Sequence, residues 1–92
     1  MSVHLNGYIL VPQDRLNDIR AALVDHIRLT RQEPGCISFN VDENPDIPGR
    51  FDVAEEFTDA DSFAAHQTRV KASDWGRISA GIERDYTITG LD

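Results

Sequence analysis

The whole chain holds one cysteine, Cys36, so no disulfide can form within it and the fold must hold by packing alone. Basic residues are scarce too. Nine Lys and Arg stand against sixteen Asp and Glu, a formal net charge of −7. A surface of that sign repels phosphate backbones and anionic lipid, and no basic cluster offsets it, which argues against nucleic-acid and membrane-surface partners. No apolar run reaches the roughly 18 residues needed to cross a bilayer. The start, MSVHLNGYILV, has no basic leader and is broken by His4, Asn6 and Gly7, unlike a secretory signal. With the lone cysteine, this predicts a cytoplasmic, reducing setting. Also missing are a Gly-rich phosphate loop, a nucleophile elbow and a tight metal-ligand spacing such as His-x-x-x-His.

What is present suits one soluble domain, residues 1–92, with 40% hydrophobic and 27% charged residues. A chain of this size buries only roughly 60–65% of its unfolded surface, so its own core is thin and oligomerisation is a natural support.

Periodicity divides the chain. Residues 3–11 alternate, with Val3, Leu5, Ile9 and Val11 on one side and His4, Asn6 and Tyr8 on the other, and Pro12 ends the run. Residues 14–32 carry a helical stripe of Leu16, Ile19, Leu23 and Ile27, with Asp14 as expected N-cap. The turn EPG, 33–35, stops that helix through Pro34, with Gly35 a residue that tolerates positive φ. Residues 36–42 alternate again, Ile37, Phe39 and Val41 against Cys36, Ser38 and Asn40. After a turn at Pro48-Gly49, residues 51–57 form a third strand with Phe51, Val53, Glu55 and Phe57 on one face. A second helix begins at Thr58 or Asp59, with Phe63, Ala64, Gln67 and Val70 near one stripe. Residues 73–82 suggest a short extra helix or turn, and 84–89 a fourth strand.

The order β-α-β-β-α-β predicts an α+β, ferredoxin-like fold, an antiparallel sheet with both helices on one face. The opposite face, carrying Asn6, Tyr8, Cys36, Ser38, Asn40, Ala54 and Glu56, is expected to pack against a second copy as a homodimer.

Glu55 is the misfit on the apolar face. A carboxylate between sheet and helices is costly unless partnered, and desolvation raises its pKa toward the range a general acid or base needs. The alternatives are a β-bulge turning Glu55 outward, or a helix end that meets it through backbone donors. His66, at the edge of the second helical stripe, could act with Glu55 as base and orienter, or be a structural helix-edge residue. His26 borders the first stripe in the same way. Two histidines and a glutamate could bind a metal, but the spacing predicts none. Phe39, Trp75 and Tyr86 could line a pocket for a flat aromatic ligand or simply fill the core. Cys36, without a basic neighbour, reads as structural.

The segments EPGCISF and GRFDVAEEFTDADSFAAH resemble the antibiotic biosynthesis monooxygenase (ABM) family of small dimeric α+β barrel proteins. Glu55 stands at the family glutamate, Phe57 at its aromatic position and His66 at its histidine, and the likeness spans almost the whole chain. The resemblance implies a homodimer joined through the sheets and a pocket between sheet and helices. In one branch it implies oxidation of a small phenol or hydroquinone to a quinone by O2 without metal or flavin. There His66 would be the base and Glu55 its orienter or a substrate contact. Phe39 and Trp75 would pack the ring, with His26 and Tyr86 as further substrate contacts. A second branch resembles isomerases of a phosphorylated autoinducer-2-type sugar derivative. DIPGRF and His26 look similar to it, and Arg50 or Arg84 could meet the phosphate, although the net charge would not attract one. A third branch degrades haem. Asn6 could match its asparagine, but His66 falls at its tryptophan and Gly76 at its histidine. A non-catalytic small-molecule-binding module is the remaining reading.

Overall fold

The alternating segments pair into one antiparallel sheet in a computed structural model that describes residues 2–91. The chain runs through β1 (Val3–Leu10), a single 3-10 turn (Gln13–Arg15), α1 (Leu16–Arg31), β2 (Cys36–Glu43), β3 (Arg50–Phe57), α2 (Ala60–Lys71), α3 (Asp74–Ile78) and β4 (Glu83–Thr89). The sheet order is β2-β3-β1-β4. Each helical crossover therefore steps over one strand, and the fold is the expected α+β ferredoxin-like one. Strands β2 and β3 are joined through a turn at Gly49, whose φ of +84° suits glycine alone. No helix among the described residues is long and apolar enough to cross a membrane.

Strand register sets side chains in rows across the sheet. Phe39, Glu55, Leu5 and Ile88 form one such row, and Val41, Val53, Gly7 and Tyr86 the next. The helices bury the β2, β3 and β1 members of the first row, whereas β4 is exposed along its length. Beneath the helices lie two apolar clusters. Ile9, Val11, Ile19, Leu23, Phe51, Trp75 and Ile82 form one. Val3, Leu5, Val53, Phe57 and Phe63 form the other.

Four local expectations are corrected. The register of β2 shifts between Cys36 and Ser38. Ile37 is left 53% exposed, and Cys36 turns inward against the cluster of Val3 and Phe57. A one-residue irregularity exchanges faces because side chains alternate strictly. Asp14 does not cap α1. It lies inside the 3-10 turn that Pro12 initiates by accepting from Arg15 N–H at 2.9 Å, and the helix begins after Arg15 without a side-chain cap. The Arg15 guanidinium instead donates to the Ile78 and Ala80 carbonyls at the end of α3. Gly35 is not at positive φ. It is required by close approach, since a Cβ there would lie 2.1 Å from Ser62 Oγ and 2.2 Å from Ser62 Cβ. Finally, α2 buries Phe63 and His66, while Ala64 is exposed.

Candidate active site

The site is built in three parts. Strand β3 is regular through Glu55, so the side chain follows Phe51, Val53 and Phe57 inward, and only 8% of the residue stays exposed. Its Oε1 has no hydrogen-bond partner. Burial first, and the charge of Glu33 second, push the Glu55 pKa up to about 7.

The EPG turn and α2 supply the second part. Gly35 lets the turn press onto Ser62 in the first turn of α2, which Asp59 caps by accepting from Ser62 N–H at 2.8 Å. Ser62, His66 and Arg69 share one side of that helix at i, i+4 and i+7. Glu33, two residues before Gly35, meets the last two. His66 Nδ1 lies 3.0 and 3.2 Å from its two oxygens, and Arg69 Nε donates to Glu33 Oε2. The other end of the His66 ring, Nε2, lies 3.8 Å from Glu55 Oε1. The imidazole thus stands between two carboxylates, one buried and unpartnered, the other held by an arginine. His66 is 4% exposed. Burial lowers its pKa, while the hydrogen bond and charge of Glu33 oppose the fall.

Helix α1 supplies the third part. His26 is 6% exposed, its Nδ1 has no partner, and its ring stacks on Trp75 and meets Phe39 edge-on at 5.2 Å. The His26 and His66 rings are 6.1 Å apart. His66 also packs on Phe57, at 4.8 Å between centroids. The two histidines therefore link the apolar cluster of Trp75 to that of Phe57. Burial, and then the charges of His66, Arg69 and Arg84, lower the His26 pKa to about 3. Thr30 ties this part to the previous one, donating to the His26 carbonyl at 2.7 Å and accepting from Arg69 Nη2 at 3.0 Å.

Two surface clefts reach the histidines, one at His66 and one at His26. One of about 410 Å³ is lined by Glu33, Ser62, Ala65, His66 and Arg69. The second, about 330 Å³, lies between α1 and α3 and is lined by His26, Leu29, Trp75, Ile78 and Arg69. Arg69 forms part of both walls.

A family model described as antibiotic biosynthesis monooxygenase matches residues 2–77. The chain belongs to this family. Solved structures share the fold. A conserved protein of unknown function from Bacteroides thetaiotaomicron, described as a possible oxidoreductase, is 20% identical, with 96% of this chain and 95% of that one covered and a TM-score of 0.82. A candidate antibiotic biosynthesis monooxygenase from Nitrosomonas europaea is 23% identical over 97% of this chain and 88% of that one, TM-score 0.81. Another from Deinococcus radiodurans is 19% identical over 100% and 93%, TM-score 0.75. No curated protein matches the chain.

In this antibiotic biosynthesis monooxygenase family member, His66, Glu55, His26, Phe39 and Trp75 come together. Tyr86 stands apart. It is opposite Gly7 on the inner side of the edge strand, 36% exposed, with its phenol pKa pushed up by burial beside the strand. Of the two cations considered for a phosphate, Arg50 is paired with Asp52 at 2.7 Å and lies over the Tyr8 ring, on the sheet face away from the histidines. Arg84 is engaged by Ser79 and the Ile82 carbonyl. The Cys36 thiol, whose pKa is raised first by burial and then by Glu33, is no ready nucleophile. Among the described residues, no three His, Cys, Asp or Glu side chains converge as a metal ion requires.

Glu33, Arg69 and Thr30 were not singled out by sequence reasoning. Glu33 sits in the EPGC motif, but its charge reads there as an ordinary helix end. Its bonds to His66 and Arg69, made beside the Gly35–Ser62 contact, show that it faces α2. The i+3 spacing of His66 and Arg69 was the one local signal available.

Proposed function

We propose that this protein is a monooxygenase that oxidises a small phenol or hydroquinone to a quinone with O2, using His66 as base and Glu55 as proton-handling partner. The observation that carries the reading is His66 Nε2 lying 3.8 Å from an unpartnered, buried Glu55 carboxyl within aromatic walls. Such a place can accept a substrate hydroxyl between an imidazole and a carboxyl group, keep water away and hold a flat ring against Phe39 and Trp75.

His66 Nε2 removes the phenolic proton. The phenolate passes an electron to O2, and recombination forms a C–O bond at a ring carbon. His66 returns its proton to the peroxide. The ring carbon that carries the hydroperoxide then gives up its C–H proton to His66 or Glu55 as O–O breaks, and that proton leaves with the departing hydroxide as water. One phenol and one O2 give one quinone and one water, so the substrate itself supplies the reducing equivalents and the proposed reaction takes no added cofactor. The family assignment and the oxidoreductase descriptions of structural relatives support this direction. The isomerase reading is less well supported, because Arg50 and Arg84 are already engaged.

We also infer a homodimer through the outer sheet face, where Asn6, Tyr8, Ala54 and Glu56 lie, since a chain of this size gains core by pairing.

The test is oxygen uptake by metal-stripped protein with a panel of hydroquinones and phenols, beside His66→Ala. Uptake with quinone formation, reduced about 10²-fold or more in the variant, supports the reading. Uptake at the autoxidation rate in both proteins refutes it.

A further inference from the structure

Resting on the reading of His66 as the base, we propose that Glu33, held by Arg69, sets the tautomer of His66 and so makes Nε2 its basic atom. Glu33 and Arg69 are then positioning residues, acting through His66 rather than on the substrate.

The geometry carries this. Both Glu33 oxygens lie within 3.2 Å of His66 Nδ1, and a carboxylate can only accept, so the proton belongs on Nδ1. In the neutral ring Nε2 is then a bare lone pair. That nitrogen points toward Glu55, whereas Nδ1 points toward the cleft that Glu33 lines. A histidine side chain free in water favours the opposite tautomer, with its proton on Nε2 and its lone pair on Nδ1. Without Glu33 the basic nitrogen would face the cleft.

Glu33 cannot easily turn away. Arg69 Nε holds its second oxygen, Thr30 Oγ1 holds Arg69 Nη2, and Gly35 clamps the turn on Ser62. The larger cleft thus reaches His66 from its Nδ1 side, where it meets Glu33 before the histidine. The groups facing His66 are Glu33 from the turn after α1, Glu55 from β3, His26 from α1 and Arg69 from α2 itself. Of these, Glu33 alone both hydrogen-bonds the ring and favours its charged form.

Long-range proton–nitrogen correlation NMR on 15N-histidine-labelled protein reads the tautomer directly. In the wild type at mildly alkaline pH, Nδ1 of His66 should show a pyrrole-type shift and Nε2 a pyridine-type shift. Glu33→Gln can still accept from Nδ1–H but loses the charge, so the tautomer should persist and the His66 pKa should fall. Glu33→Ala should shift the proton toward Nε2. With a substrate that is oxidised, the acid limb of kcat/KM should move to lower pH in both variants. Its plateau should fall about 10²-fold in Glu33→Ala. A wild-type proton on Nε2, or an unchanged tautomer in Glu33→Ala, overturns the proposal. So does a loss of thermal stability in Glu33→Gln with the His66 titration unmoved, which would mark Glu33 as a structural tie only. If Glu33→Ala does not fold, the wild-type tautomer and the Gln variant decide. If no substrate is oxidised, the functional reading fails alone and the NMR result still stands.

Discussion

The imidazole of His26 lies flat on the indole of Trp75, with ring centroids 4.8 Å apart and planes 7° from parallel. The contact seals one side of the histidine, and burial is the main reason its pKa falls to about 3. His26 should therefore stay neutral through the mildly acidic range in an NMR titration. Trp75→Ala should raise its pKa toward the ordinary value and cost about 3 kcal/mol of stability, since a buried aromatic is lost. A His26 that titrates normally in the wild type would show that the stack is not closed in solution.

Buried Glu55 and buried His26 make opposite demands on pH. The Glu55 pKa is raised from 4.5 to about 7. Between those values the folded state keeps a proton that the unfolded chain has released, so stability falls as pH rises. The His26 pKa is lowered from 6.5 to about 3. Over that interval the unfolded chain takes up a proton that the folded state refuses, so stability rises with pH and is lost on acidification. Lowering of the His66 pKa has the same sign as His26. The slopes of Glu55 and His26 oppose each other from 4.5 to 6.5, so the net rise of wild-type stability with pH there is the part that His66 adds just below 6.5. Glu55→Gln removes only the falling slope. Urea denaturation across pH should show the variant gaining on the wild type by up to about 3 kcal/mol toward neutrality. Parallel curves would mean that Glu55 ionises normally.

The proposed dimer predicts a double-mass species in sedimentation equilibrium. Ala54 is exposed on the outer face, between Asn6 of β1 and Asn40 of β2. Ala54→Arg should place like charges across the two-fold axis and raise the dissociation constant at least tenfold, with the monomer's circular dichroism unchanged. A wild-type monomer at all concentrations would reject the dimer.

Some of the site was legible from residue patterns. Glu55 stands out because a carboxylate interrupts Phe51, Val53 and Phe57 at period two, and a regular strand must then carry it inward. His26 was visible as a boundary residue of a helical stripe, and Trp75 as a pocket or core aromatic. The inversion at Cys36 and Ile37 was not, because a one-residue register shift leaves no mark on composition. The Gly35 side chain that cannot exist was read as a turn preference when the constraint is packing against Ser62. The stripe on α2 was misplaced for the same reason: the turn before β2 decides which side of that helix faces inward, and it does so across a long sequence separation.

Period-two and helical patterns, Pro and Gly punctuation and a carboxylate on an apolar face were enough by themselves to determine the element order, the ferredoxin-like class and Glu55 as the anomaly. These features act between residues a few positions apart, where covalent geometry limits the choices. The meeting of Glu33 with His66 and Arg69, the parallel stack of His26 on Trp75 and the absence of a partner for Glu55 were decided only by tertiary structure. They depend on how two helices and a turn, brought together from distant parts of the chain, settle against one sheet. The hydrophobic burial that drives that packing is non-directional, so the partner each polar group finds is determined by the assembled geometry.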